Sequence, residues 1–538
     1  MAFNSLIYLT KKISFKYLIF ALIGGLFMGL SVAPTKLYWL AWIALIPLWI
    51  TLYRSSLTAI LSGFFWGFGY HGFALFWITG IHPMTWMGVS WFNSFIIATF
   101  CWIFITLWGA ILVTLWAYLL NILIKHNHSL IIIFYGVTIW CVLEKIWSFS
   151  PLWWTSLSFT QSPDNLAILQ LLKLSGTTTI TALIVLINGL FAENIILILE
   201  SNKDNKFLIL GKNRIKSISY KFIIYGVIIF TLTHSIGYLI YQQKIVDRPE
   251  NVIKIGIIQG NIPNEIKLYD PGLNTALINY TKGYIDLAEK EVDIILTPET
   301  ALPFFYDQIA ENSVFSQAIQ QYKIPLFLGA FDRIDNNRYT NSLFVLNSEG
   351  KVISKYDKIK LVPLGEYIPF RAIFGSIIRR LSPLDTELIA GKKEQFLKTP
   401  FGQAIVGICY DSAFAEIFRY QALKGGQFII SASNNAHYDD TMPKQHHAQD
   451  VMRSIETDRW MARATNTGYS AIIDPHGNTE WISDINKYQT HVGEIYRRST
   501  ITFYVAKGDW LIIFLTIPLF INLVLKFVIK KSLNISND

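Results

Sequence analysis

Charge is scarce in this sequence. Only 15% of its 538 residues are Asp, Glu, Lys or Arg, against about 25% in ordinary soluble domains. Hydrophobic residues make up 52%, and mean hydropathy is +0.38. A wholly water-soluble chain is thereby excluded, and much of the molecule belongs in lipid. Cysteine is scarcer still, with Cys101, Cys141 and Cys409 the full complement. The first two lie within apolar runs, so Cys409 has no evident disulfide partner, and no paired spacing of the zinc-site type occurs. Internal repeats and low-complexity tracts are also missing. The net charge of +9 does not signal a nucleic-acid partner. Acids and bases roughly cancel between Gln242 and Lys507, and the excess lies between hydrophobic runs.

Long apolar runs, by contrast, are abundant. Tyr17–Ala33, Tyr38–Tyr53, Leu57–Ile78, Phe92–Ile124, Leu130–Trp147, Thr179–Leu199 and Phe222–Tyr241 each come near the roughly 20 residues a bilayer requires, and Trp510–Ile529 makes an eighth. Trp39, Trp42, Trp86, Trp91, Trp153 and Trp154 crowd the run ends, as an interfacial belt would. Bases gather in alternate loops: Lys11, Lys12 and Lys16; Arg54; Lys125; Lys203 to Lys221; and Lys526, Lys530 and Lys531. By the positive-inside rule these loops and both termini face the cytoplasm, and the stretch between spans seven and eight faces outward. The first run is expected to be an anchor rather than a cleaved signal, having no small-residue cleavage site and more spans after it. The expected division is a bundle over residues 1–243, an outer domain over 244–507, and a final span with its tail over 508–538. In the outer region short β-rich runs alternate with helical stretches such as Asn274–Lys290 and Gln445–Ala464. Strands apolar on both faces point to an α/β layered domain, long enough to bury its own core.

The stretch "AIVGICYDSAF", Ala404 to Phe414, concentrates the chemical interest. A buried strand ends at Cys409 just as the chain turns polar. That placement suits a nucleophile held at a strand's end, though a free Cys is also among the most frequently buried residues. Glu299 follows the run "DIILTP" and Lys358 follows "KVISKYD". A carboxylate, an ammonium and a thiol brought together suit acyl transfer. The carboxylate takes the thiol proton during attack, and the cation stabilises the oxyanion and keeps the carboxylate ionised.

The set "PETALP", "YDKIKLVPLGEYIPF", "GICYD" and "RSIETDRWMARATNTG" resembles the carbon–nitrogen hydrolase (nitrilase) superfamily. With "QGNIP" at Gln259–Pro263, "VPLGEYIP" at Val362–Pro369 and spans on both sides, nearly the whole chain resembles the apolipoprotein N-acyltransferase family. The resemblance implies an αββα sandwich outside the membrane, attached to about eight helical spans. It implies Glu299 as general base, Cys409 as nucleophile and Lys358 as electrostatic partner. Glu366 matches a second functional carboxylate, and Tyr410 and Asp411 follow the nucleophile as further substrate or transition-state support. The implied reaction is ping-pong. Cys409 takes an acyl chain from a phospholipid as a thioester and passes it to the α-amine of a diacylglyceryl-cysteine at an apolipoprotein N-terminus. Neither cofactor nor metal is implied, and a monomer in the bacterial inner membrane is expected.

Leu268, Thr297, Asp411 and His437 depart from the family pattern. Trp is usual at the first two positions and at His437, and Glu at Asp411, so altered substrate-lining contacts are expected. His437, Asp439, Asp440, His446 and His447 match no common zinc spacing and read as polar loop and helix residues. Arg453, Glu456 and Arg459 read as an ion-pair network on one helix face. Glu144 and Lys145, charged within a span, read either as functional or as internally paired. The segment Phe370–Ala390 reads as a lid dipping into the membrane surface or as an ordinary surface helix and loop. Two rival functions stay open on the sequence: a membrane-tethered amidase using water, and a silent scaffold.

Overall fold

The computed structural model describes residues 15–125, 127–201, 220–310, 313–363, 365–367, 387–436 and 439–535. His437, the greater part of the lid segment and the basic loop from Lys203 to Lys216 lie outside the described residues. Seven of the eight apolar runs are continuous helices: Phe15–Leu30, Ser56–Ala74, Trp91–Ile124, Ser129–Trp147, Thr177–Ser201, Lys221–Tyr241 and Trp510–Ile535. Those starting at Trp91, Ser129, Thr177 and Lys221 are long and apolar enough to cross a membrane by length and composition. The run Tyr38–Tyr53 differs. It forms a 3-10 turn, Tyr38–Trp42, and a six-residue helix, Ile46–Thr51, with Pro47 in its first turn. Leu48 and Trp49 of this broken segment are fully buried, so much of it packs inside the bundle rather than against lipid.

The bundle packs closely through small residues. A Cβ on Gly25 would lie 2.0 Å from the Trp66 carbonyl oxygen, so the Phe15–Leu30 and Ser56–Ala74 helices approach backbone to backbone, as small residues allow in lipid. The in-span charges are paired internally. Glu144 accepts from Trp140, Ser156, Thr181 and the Leu157 amide, and Lys145 pairs with Asp509.

The outer domain contains two sheets. One holds β1 (Val252–Gln259), β2 (Ile294–Leu296), β3 (Leu326–Arg333), β4 (Arg338–Leu346), β5 (Val352–Asp357), β6 (Glu387–Leu388) and β13 (Gln489–Tyr496) in the order β13-β1-β2-β3-β4-β5, with β6 beside β4. The other holds β7 (Leu397–Thr399), β8 (Gly402–Ile408), β9 (Phe428–Ser433), β10 (Met461–Thr465), β11 (Ala471–Ile473) and β12 (Thr479–Ile482) in the order β12-β11-β10-β9-β8-β7. Side-chain alternation builds the layers. Ala404, Val406 and Ile408 of β8 meet Ile255, Leu296 and Val345 of the first sheet in the inter-sheet core. Ile405 points the other way. Helices Asp270–Ala288 and Val314–Tyr322 cover the first sheet, and Ala415–Leu423 and Thr441–Thr457 cover the second.

That second helix layer is also the bundle's roof. Phe418, Val451, Met452 and Ile455 share one apolar core with Trp49, Leu169 and Ile184. A smaller core joins Leu75, Trp77, Trp153 and Trp154 to Tyr410, Phe414 and Met442. Trp153 and Trp154 are therefore not lipid-facing belt residues as their position suggested. Each is only 7% exposed, because the outer domain sits on them. Trp39 and Trp91, at 54% and 60% exposure, remain at the periphery.

Candidate active site

β2, β5 and β8 run into the site at their C-terminal ends. The two strands of the first sheet deliver Glu299 and Lys358, and the strand of the second delivers Cys409. Parallel pairing of β1, β2 and β3, and the double reversal through β4 to β5, put the β2 and β5 ends on the same edge. Cys409 opens a 3-10 turn, Cys409–Ala413, with its own backbone left-handed at φ 49°. For a residue with a Cβ that conformation is strained and persists only where the surroundings enforce it. Asp411 supplies part of the enforcement. Its carboxylate accepts from the Ile408 amide at 3.1 Å and the Lys360 amide at 2.7 Å. Asp411 is fully buried, so it tethers the turn to the β5 exit and does not line a substrate surface.

Lys358 is the hub of the charges. Its Nζ donates to Glu299 Oε1 at 2.8 Å and to Glu366 Oε1 at 2.7 Å, and its side chain is 1% exposed. Asn341 Nδ2 adds a donor to Glu299 Oε1 at 2.8 Å, and the Asn434 amide donates to Glu299 Oε2 at 2.8 Å. Glu366 is further held by the Val362 amide at 2.8 Å. Burial pushes Glu299 upward, but Lys358, Lys267 and Asn341 outweigh it and hold the carboxyl below the ordinary Glu value. Burial pushes Glu366 up, and the neighbouring Glu299 charge adds to this against Lys358. Burial lowers Lys358, yet the two carboxylates outweigh it and keep the ammonium charged. Burial and then the Glu299 charge push the Cys409 thiol up, with Lys358 opposing. The resting site is thus an ionised Glu299, a charged Lys358 and a neutral thiol. Such a set suits removal of the thiol proton during an attack rather than beforehand.

Tyr410 turns away from these groups. Its hydroxyl lies 2.8 Å from the carbonyl oxygens of both Pro151 and Trp153, and its ring stacks on Trp154 at 5.9 Å. The residue after Cys409 therefore clips the Cys409–Ala413 turn to the bundle. Thr297 spends its hydroxyl on β3, donating to the Phe327 carbonyl and accepting from the Gly329 amide, both at 3.1 Å. Arg453 and Glu456 do pair, both fully buried. Arg459 does not join them: the helix ends at Thr457, and Arg459 donates instead to the Gly426, Thr457 and Asp458 carbonyls and to Thr500. His446 and His447 diverge, one to the Cys409 carbonyl and one to Thr479.

Four residues at the site were given no role there by the sequence, His446 having been read only as a polar helix residue. Lys267 ends a four-residue helical turn, is 2% exposed, and donates to the Glu299 carbonyl at 3.3 Å. Burial brings its ammonium down to about 8, against the opposing charge of Glu299. Asn341, Asn434 and His446 are the others. The signal for Lys267 was its position in "NIPNEIK", directly after a family-level motif.

Comparison with known proteins decides the assignment. Residues 254–495 match the carbon–nitrogen hydrolase family, and residues 24–190 match the apolipoprotein N-acyltransferase N-terminal domain. The apolipoprotein N-acyltransferase of Nostoc sp. is 51% identical over 90% of this chain and 94% of its own length. That of Synechocystis sp. is 44% identical over 91% and 97%. The chain belongs to the apolipoprotein N-acyltransferase family. A third member, from Thermosynechococcus vestitus, is 37% identical over 93% of this chain and 94% of its own. All three are covered almost from end to end, so the bundle and the outer domain are inherited together.

Proposed function

We propose that this membrane acyltransferase moves a fatty acyl chain from a phospholipid to the N-terminal amine of a diacylglyceryl-cysteine on an apolipoprotein, with Cys409 carrying the chain between them. Glu299 accepts the thiol proton as sulfur attacks the ester carbonyl, and gives it to the departing lysophospholipid alkoxide. The resulting thioester is then attacked by the lipoprotein amine. Glu299 takes the amine's proton and returns it to the Cys409 sulfur as the C–S bond breaks. Lys358 balances the charge of both tetrahedral intermediates, and Glu366 holds Lys358 in place.

One observation carries the reading. The turn bearing the nucleophile is packed on the membrane bundle through Tyr410, Trp153 and Trp154, where two lipid substrates reach a thiol without leaving the bilayer. A soluble-type amidase has no use for that contact, and a scaffold has none for the buried charge set. The division at 1–243, 244–507 and 508–538 is part of the proposal, supported by the helix that ends at Tyr241 and the one that begins at Trp510. The lysine-rich alternate loops support the inner membrane with the catalytic domain on the periplasmic side. The proposed transfer is written for a monomer, since the charge set of Glu299, Lys358 and Glu366 is complete without a second copy.

The test uses purified protein in detergent with a phospholipid labelled in its acyl chain. Label bound to wild type, released by neutral hydroxylamine and absent from Cys409→Ser is the expected result. Added diacylated lipopeptide then receives the label. Its appearance as free fatty acid instead would favour the amidase.

A further inference from the structure

The carbonyl oxygen of Cys409 is held by a side chain with no part in the acid–base set. His446 Nε2 lies 2.9 Å from it. A carbonyl only accepts, so Nε2 carries the imidazole proton, and Nδ1 is left to accept from Asn435 Nδ2 at 3.1 Å. The amide of Asn435 is oriented in turn by Arg463, whose Nη2 approaches its Oδ1 at 3.4 Å, and Arg463 pairs with the buried Asp450. Burial, reinforced by Arg463 against Asp450, drives the imidazole down to about 3, so one neutral tautomer persists. The ring is fully buried and meets the Trp154 ring edge-on at 5.9 Å. Its neighbour Gln445 is gripped by the bundle, accepting from Trp77 and Trp154 and donating to the Ala33 and Ala74 carbonyls.

The consequence lies in the geometry of one peptide. The Cys409 carbonyl and the Tyr410 N–H belong to the same planar unit and point in opposite directions. Fixing the oxygen on His446 therefore fixes the N–H on the far side. It also supports the left-handed backbone at Cys409, which nothing in its own sequence favours.

We propose that His446 is a positioning residue, which locks the Cys409–Tyr410 peptide so that its N–H serves beside Lys358 as donor to the oxyanion of the acyl intermediates. The assignment rests on the acyl-transfer reading above. It makes the membrane-gripped end of the Thr441–Thr457 helix part of the transition-state machinery.

The experiment compares His446→Leu and His446→Gln with wild type, each full length in detergent. The Gln amide nitrogen replaces Nε2. Three rates or affinities are read: thioester formation from labelled phospholipid in a single turnover, binding of a long-chain aldehyde, and alkylation by iodoacetamide. The aldehyde adds to Cys409 with a new C–S bond, and the thiol proton passes to the carbonyl oxygen, which needs the donor. Alkylation develops no oxyanion. Loss of one such donor slows acyl transfer about 100- to 1,000-fold. The Leu variant is expected to lose thioester formation and aldehyde affinity by factors of that order, to alkylate at nearly the wild-type rate, and to be rescued by Gln. Unchanged acylation, or alkylation falling in parallel with it, overturns the proposal. If the Leu variant does not fold, Gln against His446→Asn decides: Asn presents its amide at the Nδ1 position, and equal rates in the two overturn it. A wild type that forms no thioester sinks the acyl-transfer reading instead, and the aldehyde-to-alkylation comparison still tests His446.

Discussion

Lys267 gives Glu299 a second cation, and the two make a prediction with a definite sign. Lys267 and Lys358 both lower the Glu299 carboxyl. In Lys267→Met one of these cations is gone, the Glu299 carboxyl rises, and the proposed base is protonated sooner on acidification. The acid limb of single-turnover acylation then moves to higher pH, while Lys267→Arg, which keeps the charge, leaves it in place. A profile between about pH 4 and 8 spans the carboxylate range and resolves this; coincident limbs in all three proteins would rule it out. Glu299→Gln separates two roles that a simple loss of activity would merge. Removing a general base costs about 10²- to 10⁴-fold, so thioester formation should fall by that much. The same change removes the charge that raises the Cys409 thiol, so alkylation by iodoacetamide, which needs only thiolate, should not fall. Parallel loss of both would mean a collapsed site. Glu299, Lys358 and Cys409 were legible because each ends an apolar run, and a polar residue at a strand's end is an address. Lys267, Asn341, Asn434 and His446 had no such address. They arrive from a short turn, a strand interior, a loop and a helix, and only the folded arrangement brings them to one place.

The helix Thr441–Thr457 shows what periodicity hides at the scale of an element. It is polar enough to pass for a surface helix, yet all of its 17 residues except Thr441 and Lys444 are buried. It lies between the second sheet and the bundle, so it has no solvent face, and each of its charges needs a partner. Asp450 has Arg463, and Glu456 has Arg453 at 2.8 Å. Burial pushes the Glu456 carboxyl up to about 7, with Arg453 opposing, so the carboxylate form depends on that contact. Truncating one member of such a pair destabilises by about 3–5 kcal/mol, whereas removing both costs much less. Arg453→Met should therefore lower the thermal midpoint strongly, and adding Glu456→Leu should restore much of it. A double variant as unstable as the single would mean that packing, not the orphaned carboxylate, sets the loss. The run Tyr38–Tyr53 hides the opposite. Its composition matches a lipid-facing span, but it folds as two short helical pieces packed largely inside the bundle around Trp49. Apolar length reports burial without saying whether lipid or protein does the burying. A layered α/β domain was legible from strands apolar on both faces, and its αββα arrangement only through the family resemblance. Their order within each sheet was not, since pairing is set by contacts far apart in the chain.

At the scale of the whole molecule, the two regions that the sequence divides so clearly prove inseparable in their packing. Domain boundaries are usually crossed by few contacts; here the outer domain's helix layer and the bundle share one core, running from Trp49 and Leu169 to Phe418, Val451 and Ile455. Polar ties reinforce it. Lys173 of the bundle pairs with Asp458 at 3.2 Å, and Asp458 is also held by Arg498 at 2.9 Å. Gln170 donates to the His476 carbonyl at 2.8 Å, and the Tyr241 hydroxyl to Asn478 at 2.6 Å. The turn that carries Cys409 is itself anchored on Pro151 and Trp153. Residues 244–507 expressed alone would expose the apolar side of that helix layer and release Tyr410 from its carbonyl anchors. The expected outcome is aggregation, or a soluble fragment that alkylates at Cys409 but forms no thioester from phospholipid. Co-expression of 1–243 with 244–538 should restore both co-purification and acyl-enzyme formation, because the shared core, unlike a covalent linker, supplies the alignment. A lone 244–507 fragment that acylates at the wild-type rate would show that the bundle only anchors the enzyme. Failure of the split halves to associate, with each half folded, would place the alignment in the linker at Gln242–Pro249 rather than in the packed interface.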